Sequence, residues 1–177
     1  MCQLKFETMR RLSFILSFVV LTLIVSCIKD DVRGADLKPG DLLPDFEVVM
    51  SDGSVISDES LKGSVSVVVF FSTICPDCQQ ILPVVQEIYD EYAPKGVIFA
   101  LISRAQGEED IRDYWDTNGL SIPYSAQQGR DVYEEFATSG IPRIYINDKG
   151  GIIRYIHTDD PVPSYSELRA SLDAVIR

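Results

Sequence analysis

Residues 65–92 read VSVVVFFSTICPDCQQILPVVQEIYDEY and carry the strongest indication of the fold. Its first seven residues are almost wholly apolar and rich in β-branched and aromatic side chains, which is typical of a strand covered on both faces. After Cys75-Pro76-Asp77-Cys78, apolar side chains recur at helical spacing as far as Tyr92. The sequence therefore predicts a central strand, a cysteine motif at its end, and a helix that begins near Cys75.

The cysteine pair is suited to thiol-disulfide exchange. This reaction needs one accessible, ionised thiol to attack and a second thiol close enough to resolve the mixed disulfide. A helix that begins near Cys75 directs unpaired backbone N–H groups and the positive end of its dipole toward that sulfur, which favours the thiolate. Cys78, three residues later, lies on the same helical face. We therefore assign Cys75 as the attacking thiol and Cys78 as the resolving thiol, and we assign no cofactor.

The pair has two other possible interpretations. Cys-x-x-Cys is also half of many zinc sites, but a structural zinc site needs four ligands. His157 is the only further cysteine or histidine beyond the first 27 residues, so we assign no metal. A purely structural disulfide is the second alternative, and it seldom lies where a buried strand meets a helix. The predicted strand and helix around the motif favour redox chemistry.

The rest of the chain alternates between predicted strands and helices. Strands are predicted at 46–50 and 54–56, which form a hairpin around Asp52-Gly53, and at 97–103, 122–126, 143–147 and 152–157. Helices are predicted at 57–61, 108–115, 131–137 and 164–177, the last with Leu168, Leu172, Val175 and Ile176 facing inward. This order predicts an α/β fold, a mixed sheet with helices on both faces, in one domain spanning residues 41–177.

The N-terminus has the pattern of a bacterial export signal. Three basic residues precede an uncharged apolar run, residues 12–25, which is too short for a bilayer span of about 20 residues. Ile24-Val25-Ser26-Cys27 resembles the lipobox of lipoproteins, which predicts cleavage after Ser26 and lipid attachment at Cys27. We accordingly predict a signal peptide over 1–26 and a tether over 27–40; ordinary cleavage that leaves Cys27 as a spare thiol is the alternative.

This N-terminus predicts an extracytoplasmic, membrane-anchored lipoprotein, on the periplasmic face or the outer-membrane surface of a Gram-negative cell. The chain has 16 Lys and Arg against 27 Asp and Glu, a net charge of -11. An acidic chain is not expected to bind nucleic acid. It is also repelled by anionic lipid, so membrane attachment is expected to depend on acyl chains.

Several motifs together resemble the extracytoplasmic thioredoxin-like reductases of the TlpA and ResA type. They are Pro-Gly-Asp-Leu-Leu-Pro-Asp-Phe at 39–46, the Asp-Gly hairpin, Val-Val-Val-Phe-Phe, Cys-Pro-Asp-Cys, and Gly-Ile-Pro at 140–142 with the closing hairpin. The resemblance covers residues 41–177. It implies a thioredoxin-like mixed sheet flanked by helices, with an N-terminal β-hairpin extension.

The same resemblance implies a substrate-binding surface beside the cysteines. It makes Ile141-Pro142 a cis peptide opposite Cys75, with the backbone of Ile141 pairing to the substrate chain. Pro76 and Asp77, between the two cysteines, are assigned to the same surface.

Three positions depart from the family pattern. Ile74 stands where a tryptophan is often found, Val69 where thioredoxin buries an acidic residue, and Ile81 where some members carry a glutamate. Proton transfer at Cys78 is therefore expected to rely on water or on Asp77. Arg143 stands where threonine is usual, and it is expected either to reach the sulfur or to face solvent.

The expected function is that of an enzyme, a thiol-disulfide oxidoreductase acting as a reductase or isomerase. Its partners would be protein thiols or disulfides and an electron donor of unidentified kind. Two alternatives stay open. A peroxiredoxin-like thiol peroxidase fits Ser72, three residues before Cys75, but Val68 stands where a proline is expected. The other is a lipid-anchored binding domain whose cysteines form a structural disulfide.

Overall fold

The computed structural model describes residues 36–177. The predicted signal peptide, Cys27 and the first part of the predicted tether lie outside the described residues. The last tether residues, 36–40, contact the domain: Leu37 N donates to Phe136 O at 3.1 Å, and Gly40 N donates to Ile153 O at 2.8 Å.

The described strands form a small hairpin and a five-stranded sheet. The hairpin consists of β1 (Glu47–Val49) and β2 (Val55–Ser57). The larger sheet has the order β5-β4-β3-β6-β7 and contains β3 (Ser66–Phe71), β4 (Ile98–Ser103), β5 (Tyr124–Ser125), β6 (Arg143–Asn147) and β7 (Ile153–His157). Strand β3 runs parallel to β4 and antiparallel to β6, so the sheet is mixed, as predicted.

Helices connect or follow these strands. They are α1 (Asp58–Leu61), α2 (Pro76–Tyr92), α3 (Glu108–Asn118), α4 (Asp131–Glu134) and α5 (Tyr165–Ile176). Ser57 caps α1 and Ser164 caps α5, each through a reciprocal capping box. In the part of the chain that the structure describes, no helix is both long and apolar enough to cross a membrane.

Strand β3 lies at the centre of the core, because all six of its residues are buried. Neighbouring strand residues point to opposite faces of a sheet. The ring of Phe71 packs against Trp115 of α3, with centroids 5.1 Å apart, while the ring of Phe70 packs against Tyr133 of α4 at 5.3 Å. The predicted fold class, a mixed sheet with helices on both faces and an N-terminal hairpin, is confirmed.

Two elements are shorter than the sequence predicts, because tertiary partners take up their backbone groups. Beyond α4, Phe136 N donates to Tyr133 O only three residues earlier, and the Phe136 carbonyl turns to Leu37 N and the Tyr145 hydroxyl, so the predicted helix over 131–137 ends at Glu134. Before β5, Ile122 is bound through its N–H by Gln86 and through its carbonyl by the Trp115 indole, which leaves a strand of two residues.

One predicted core residue was wrong. Ile176 is 39% exposed, because it lies in the last turn of α5, where the helix no longer covers the sheet. Leu168 and Leu172 are buried as predicted.

Candidate active site

The cysteine pair lies where β3 gives way to α2. Cys75 is the N-cap of α2, in extended conformation, and Pro76 is the first helical residue, where its missing N–H costs no intrahelical bond. Cys75 is partly exposed and Cys78 is buried, and both are free thiols. The predicted helix start at the motif is confirmed, and it leaves only Cys75 accessible for attack.

A second segment, far away in sequence, meets Cys75. The Cys75 thiol donates to the carbonyl oxygen of Ile141 at 3.6 Å, and the peptide bond between Ile141 and Pro142 is cis, as predicted. Ile141 and Pro142 are buried, Pro76 is exposed and Asp77 is half-buried. The structure thus brings the predicted residues to one edge of the sheet, while their roles in binding stay predictions.

The two thiols lie in different electrostatic surroundings. Burial raises the pKa of Cys78 to about 12; a backbone hydrogen bond from Ser72 opposes this rise, and the neighbouring Cys75 and Asp77 add to it. Because a thiol with that pKa is protonated at neutral pH, Cys78 is not a nucleophile until its proton is removed. The negative charge of Asp77 disfavours the Cys78 thiolate and so contributes to the raised pKa.

The loop before Cys75 is held by Gln106, a residue that the sequence analysis missed. Gln106 is buried after β4, and its Oε1 accepts from Thr73 N at 2.8 Å and from Ser72 Oγ at 3.3 Å. Its Nε2 donates to Thr73 Oγ1 at 2.5 Å, and Gln79 Nε2 donates to Thr73 O at 2.7 Å. The polar groups of Thr73 are therefore all bound, which fixes the approach to the cysteine motif.

The three apolar side chains that depart from the family pattern differ in their exposure to solvent. Val69 and Ile81 are fully buried, and Ile74 is 82% exposed directly before Cys75. None of these positions supplies a carboxylate to the thiols. Ile74 instead offers an apolar contact to any molecule that approaches Cys75.

His157, considered above as a possible metal ligand, lies in β7 and contacts α5. His157 Nε2 lies 3.1 Å from Ser171 Oγ of α5, and burial lowers the pKa of this histidine. Across residues 36–177, no cluster of three or more His, Cys, Asp or Glu side chains could hold a metal ion.

The sequence is similar to known proteins over most of this domain. The AhpC/TSA family model matches residues 39–156. The thioredoxin-like protein YneN of Bacillus subtilis is 27% identical over 139 residues, which are 77% of this chain and 81% of the relative. The thiol-disulfide oxidoreductase ResA of Halalkalibacterium halodurans is 27% identical over 122 residues, 68% of this chain and 69% of the relative.

Solved structures share the fold at lower sequence identity. A thiol:disulfide interchange protein of the thioredoxin family from Chlorobium tepidum superposes with a TM-score of 0.67 at 24% identity, covering 81% of this chain and 100% of that one. The thioredoxin domain of a thiol-disulfide oxidoreductase from Bacteroides vulgatus gives 0.65 at 22%, covering 77% and 99%. The matched family model and the shared fold show that the chain belongs to the AhpC/TSA family and is thioredoxin-like.

Proposed function

We propose that this protein is an extracytoplasmic thiol-disulfide oxidoreductase, a reductase or isomerase that exchanges disulfides with protein clients. The observation that carries the proposal is the unequal pair at the start of α2: Cys75 is accessible and bound to the Ile141 carbonyl, while Cys78 is buried behind it. The relatives named as thiol-disulfide oxidoreductases support the same reaction.

The reaction follows from this arrangement in two exchanges. The Cys75 thiolate attacks one sulfur of a client disulfide; a mixed disulfide forms, and the other client sulfur leaves as a thiolate that takes up a proton. Cys78 then loses its proton and attacks the Cys75 sulfur, which releases the second client thiol. The client gains two electrons and two protons, and Cys75 and Cys78 form a disulfide. A dithiol electron donor returns the pair to the reduced form.

Resolution requires the proton of Cys78 to leave a buried site. Its pKa of about 12 makes this step unfavourable at neutral pH, so a proton acceptor must reach it when the client is bound. Water or the neighbouring Asp77 carboxylate is the acceptor we propose. In an isomerase, slow resolution by Cys78 would give the client time to rearrange.

We also propose that the domain is held at a membrane outside the cytoplasm. The sequence supports this through its apolar run and the lipobox-like Ile24-Val25-Ser26-Cys27, in which Cys27 would carry the lipid. Replacing Cys27 by serine is then expected to move the protein from the membrane fraction to the aqueous fraction. Unchanged membrane attachment in that variant would exclude the lipid anchor.

A thiol peroxidase is a weaker candidate. Near the reactive cysteine, the sequence matches the peroxiredoxin pattern at Ser72, three residues before Cys75, but Val68 stands where that pattern has a proline. The Ser72 hydroxyl donates to Gln106 Oε1 at 3.3 Å, so it is engaged away from the Cys75 sulfur. A rate with hydrogen peroxide no faster than that of a free thiolate would exclude the peroxidase.

Client trapping tests the main proposal. In Cys78→Ser the attack by Cys75 is retained and resolution is lost, so mixed disulfides with clients are expected to accumulate in cells and to disappear on reduction. The control is Cys75→Ser/Cys78→Ser, which has no attacking thiol. The proposal fails if the single and double variants trap the same proteins in equal amount.

A further inference from the structure

Four consecutive carbonyl groups, the last of which faces Cys75, are each bound by a side chain. Arg130 Nη2 donates to Thr138 O at 3.2 Å, Arg143 Nε to Ser139 O at 2.9 Å, the Tyr133 hydroxyl to Gly140 O at 2.7 Å, and the Cys75 thiol to Ile141 O at 3.6 Å. The first three donors are side chains at the start of α4 and β6, and the fourth is the attacking thiol. These three side chains therefore fix the backbone that leads to the carbonyl facing Cys75.

Asp36 ties this segment to the N-terminal part of the chain. Its Oδ1 accepts from Thr138 N at 2.8 Å and from Thr138 Oγ1 at 3.1 Å, and it lies 3.5 Å from Arg143 Nη2. The backbone hydrogen bond from Thr138 lowers the pKa of Asp36, so its carboxylate is charged at neutral pH. The N-terminal segment thus reaches the loop that carries Ile141.

Arg143 is held between two acceptors and does not turn toward the sulfur. Its side chain is 12% exposed and contacts the Ser139 carbonyl through Nε and Asp36 through Nη2. A planar guanidinium can serve two acceptors in fixed directions, whereas a lysine ammonium offers one point charge. The sequence predicted that Arg143 either reaches the sulfur or faces solvent, and both expectations were wrong.

We propose that Arg143, with Asp36 as its counterion, is a positioning residue that fixes the Ile141 carbonyl for pairing with the backbone of a peptide client. This inference rests on the proposed disulfide exchange and adds a determinant of client binding to it. A segment that is ordered before binding loses less conformational entropy when the client docks. This gain in binding free energy is expected only for substrates that have a peptide backbone.

Two substrates separate positioning from chemistry. One is a cyclic peptide closed by a disulfide, and the other is a dipyridyl disulfide, which has no peptide backbone. In Arg143→Met, kcat/KM for the peptide is expected to fall about tenfold, mainly through KM, as for a charged hydrogen bond worth about 1.4 kcal/mol. The rate with the dipyridyl disulfide is expected to change less than about twofold, since Cys75 itself is untouched.

Arg154→Met is the matched control. Arg154 also pairs with one carboxylate, Asp148, but it lies in β7 and is half exposed. This variant removes the same charge and is expected to leave both rates unchanged. Asp36→Asn keeps an oxygen for Thr138 while it removes the charge facing Arg143, so a smaller loss in the same direction is expected.

The outcomes are separable. An equal fall with both substrates in Arg143→Met, or no fall with the peptide, overturns the inference. If Arg143→Met does not fold, Arg143→Lys is judged by the same ratio of peptide to dipyridyl rates, and an unchanged ratio overturns the inference. A wild-type protein that exchanges with neither substrate contradicts the proposed function itself.

Discussion

At the residue scale, the two cysteines differ because of where α2 begins. Cys75 caps the helix and keeps part of its surface in solvent, whereas Cys78 lies one turn further along, fully buried in the core. The same short helix segment therefore produces an accessible thiol and a protected one. This difference in burial is enough to assign Cys75 to the first exchange and Cys78 to the second. The assignment does not need a carboxylate at positions 69, 74 or 81.

Selective alkylation tests this difference. Of the two motif cysteines, we expect iodoacetamide to modify only Cys75 at pH 8, because burial and a pKa of about 12 keep Cys78 protonated. Since the pKa of Cys78 in the folded protein lies above the ordinary thiol value of 9.0, modification of Cys78 is expected to increase only as the pH rises toward about 12. Peptide mass spectrometry after digestion measures both sites. Equal labelling of both cysteines at pH 8 would contradict the assignment.

Gln106 should contribute measurably to stability. In Gln106→Leu, Thr73 N and Oγ1 lose their partners in a buried loop, so the free energy of unfolding should fall by about 1–3 kcal/mol. Gln80→Leu is the control, because Gln80 is exposed on α2. Urea unfolding of the reduced proteins measures the change, and equal midpoints for the wild type and Gln106→Leu would contradict the role of this network.

At the element scale, the strand and helix around the cysteine motif could be predicted because their signals are local. Strand β3 is buried along its whole length, and α2 repeats its apolar residues at helical spacing, so a few neighbouring residues determine each element. The positions of β1, β2, β6 and β7 follow equally well from alternation and turn residues.

The rest depends on contacts between distant residues. The start of β5 is set by Gln86 and Trp115, which bind backbone groups of Ile122 that a local pattern assigns to a strand, and the segment after α4 packs against Leu37. Gln106 was missed for the same reason, since a single glutamine in a loop carries no periodic signal. Ile141-Pro142 was found only because the resemblance to a known family supplied its partner.

Helix α5 provides a test of local capping. The Ser164 side chain accepts from Glu167 N, and Glu167 accepts from Ser164 N in return. Ser164→Ala is expected to destabilise the domain by about 1 kcal/mol, whereas Ser164→Thr keeps the hydroxyl and should lose less. Thermal unfolding compares the variants. If Ser164→Ala and Ser164→Thr unfold at the wild-type temperature, the cap does not contribute to stability.

At the scale of the whole molecule, the net charge of -11 should affect which clients arrive fastest. Long-range attraction raises the association rate of oppositely charged partners and is screened by salt. We expect kcat/KM for a cationic peptide disulfide to fall several-fold between about 20 and about 200 mM salt. A peptide of the same length without charge is the control. Equal salt dependence for the two peptides would show that the acidic surface does not steer clients.

The site also spans much of the chain, since Cys75 and the Ile141 carbonyl are separated by 66 positions. During synthesis, the cysteine motif emerges well before the loop that faces it. A nascent chain that ends before Arg143 has both thiols but lacks β6. This strand pairs with β3 and thereby holds Ile141 beside the cysteines. We therefore expect client exchange to begin only when about the last fifth of the polypeptide, from Arg143 onward, has been synthesised and folded.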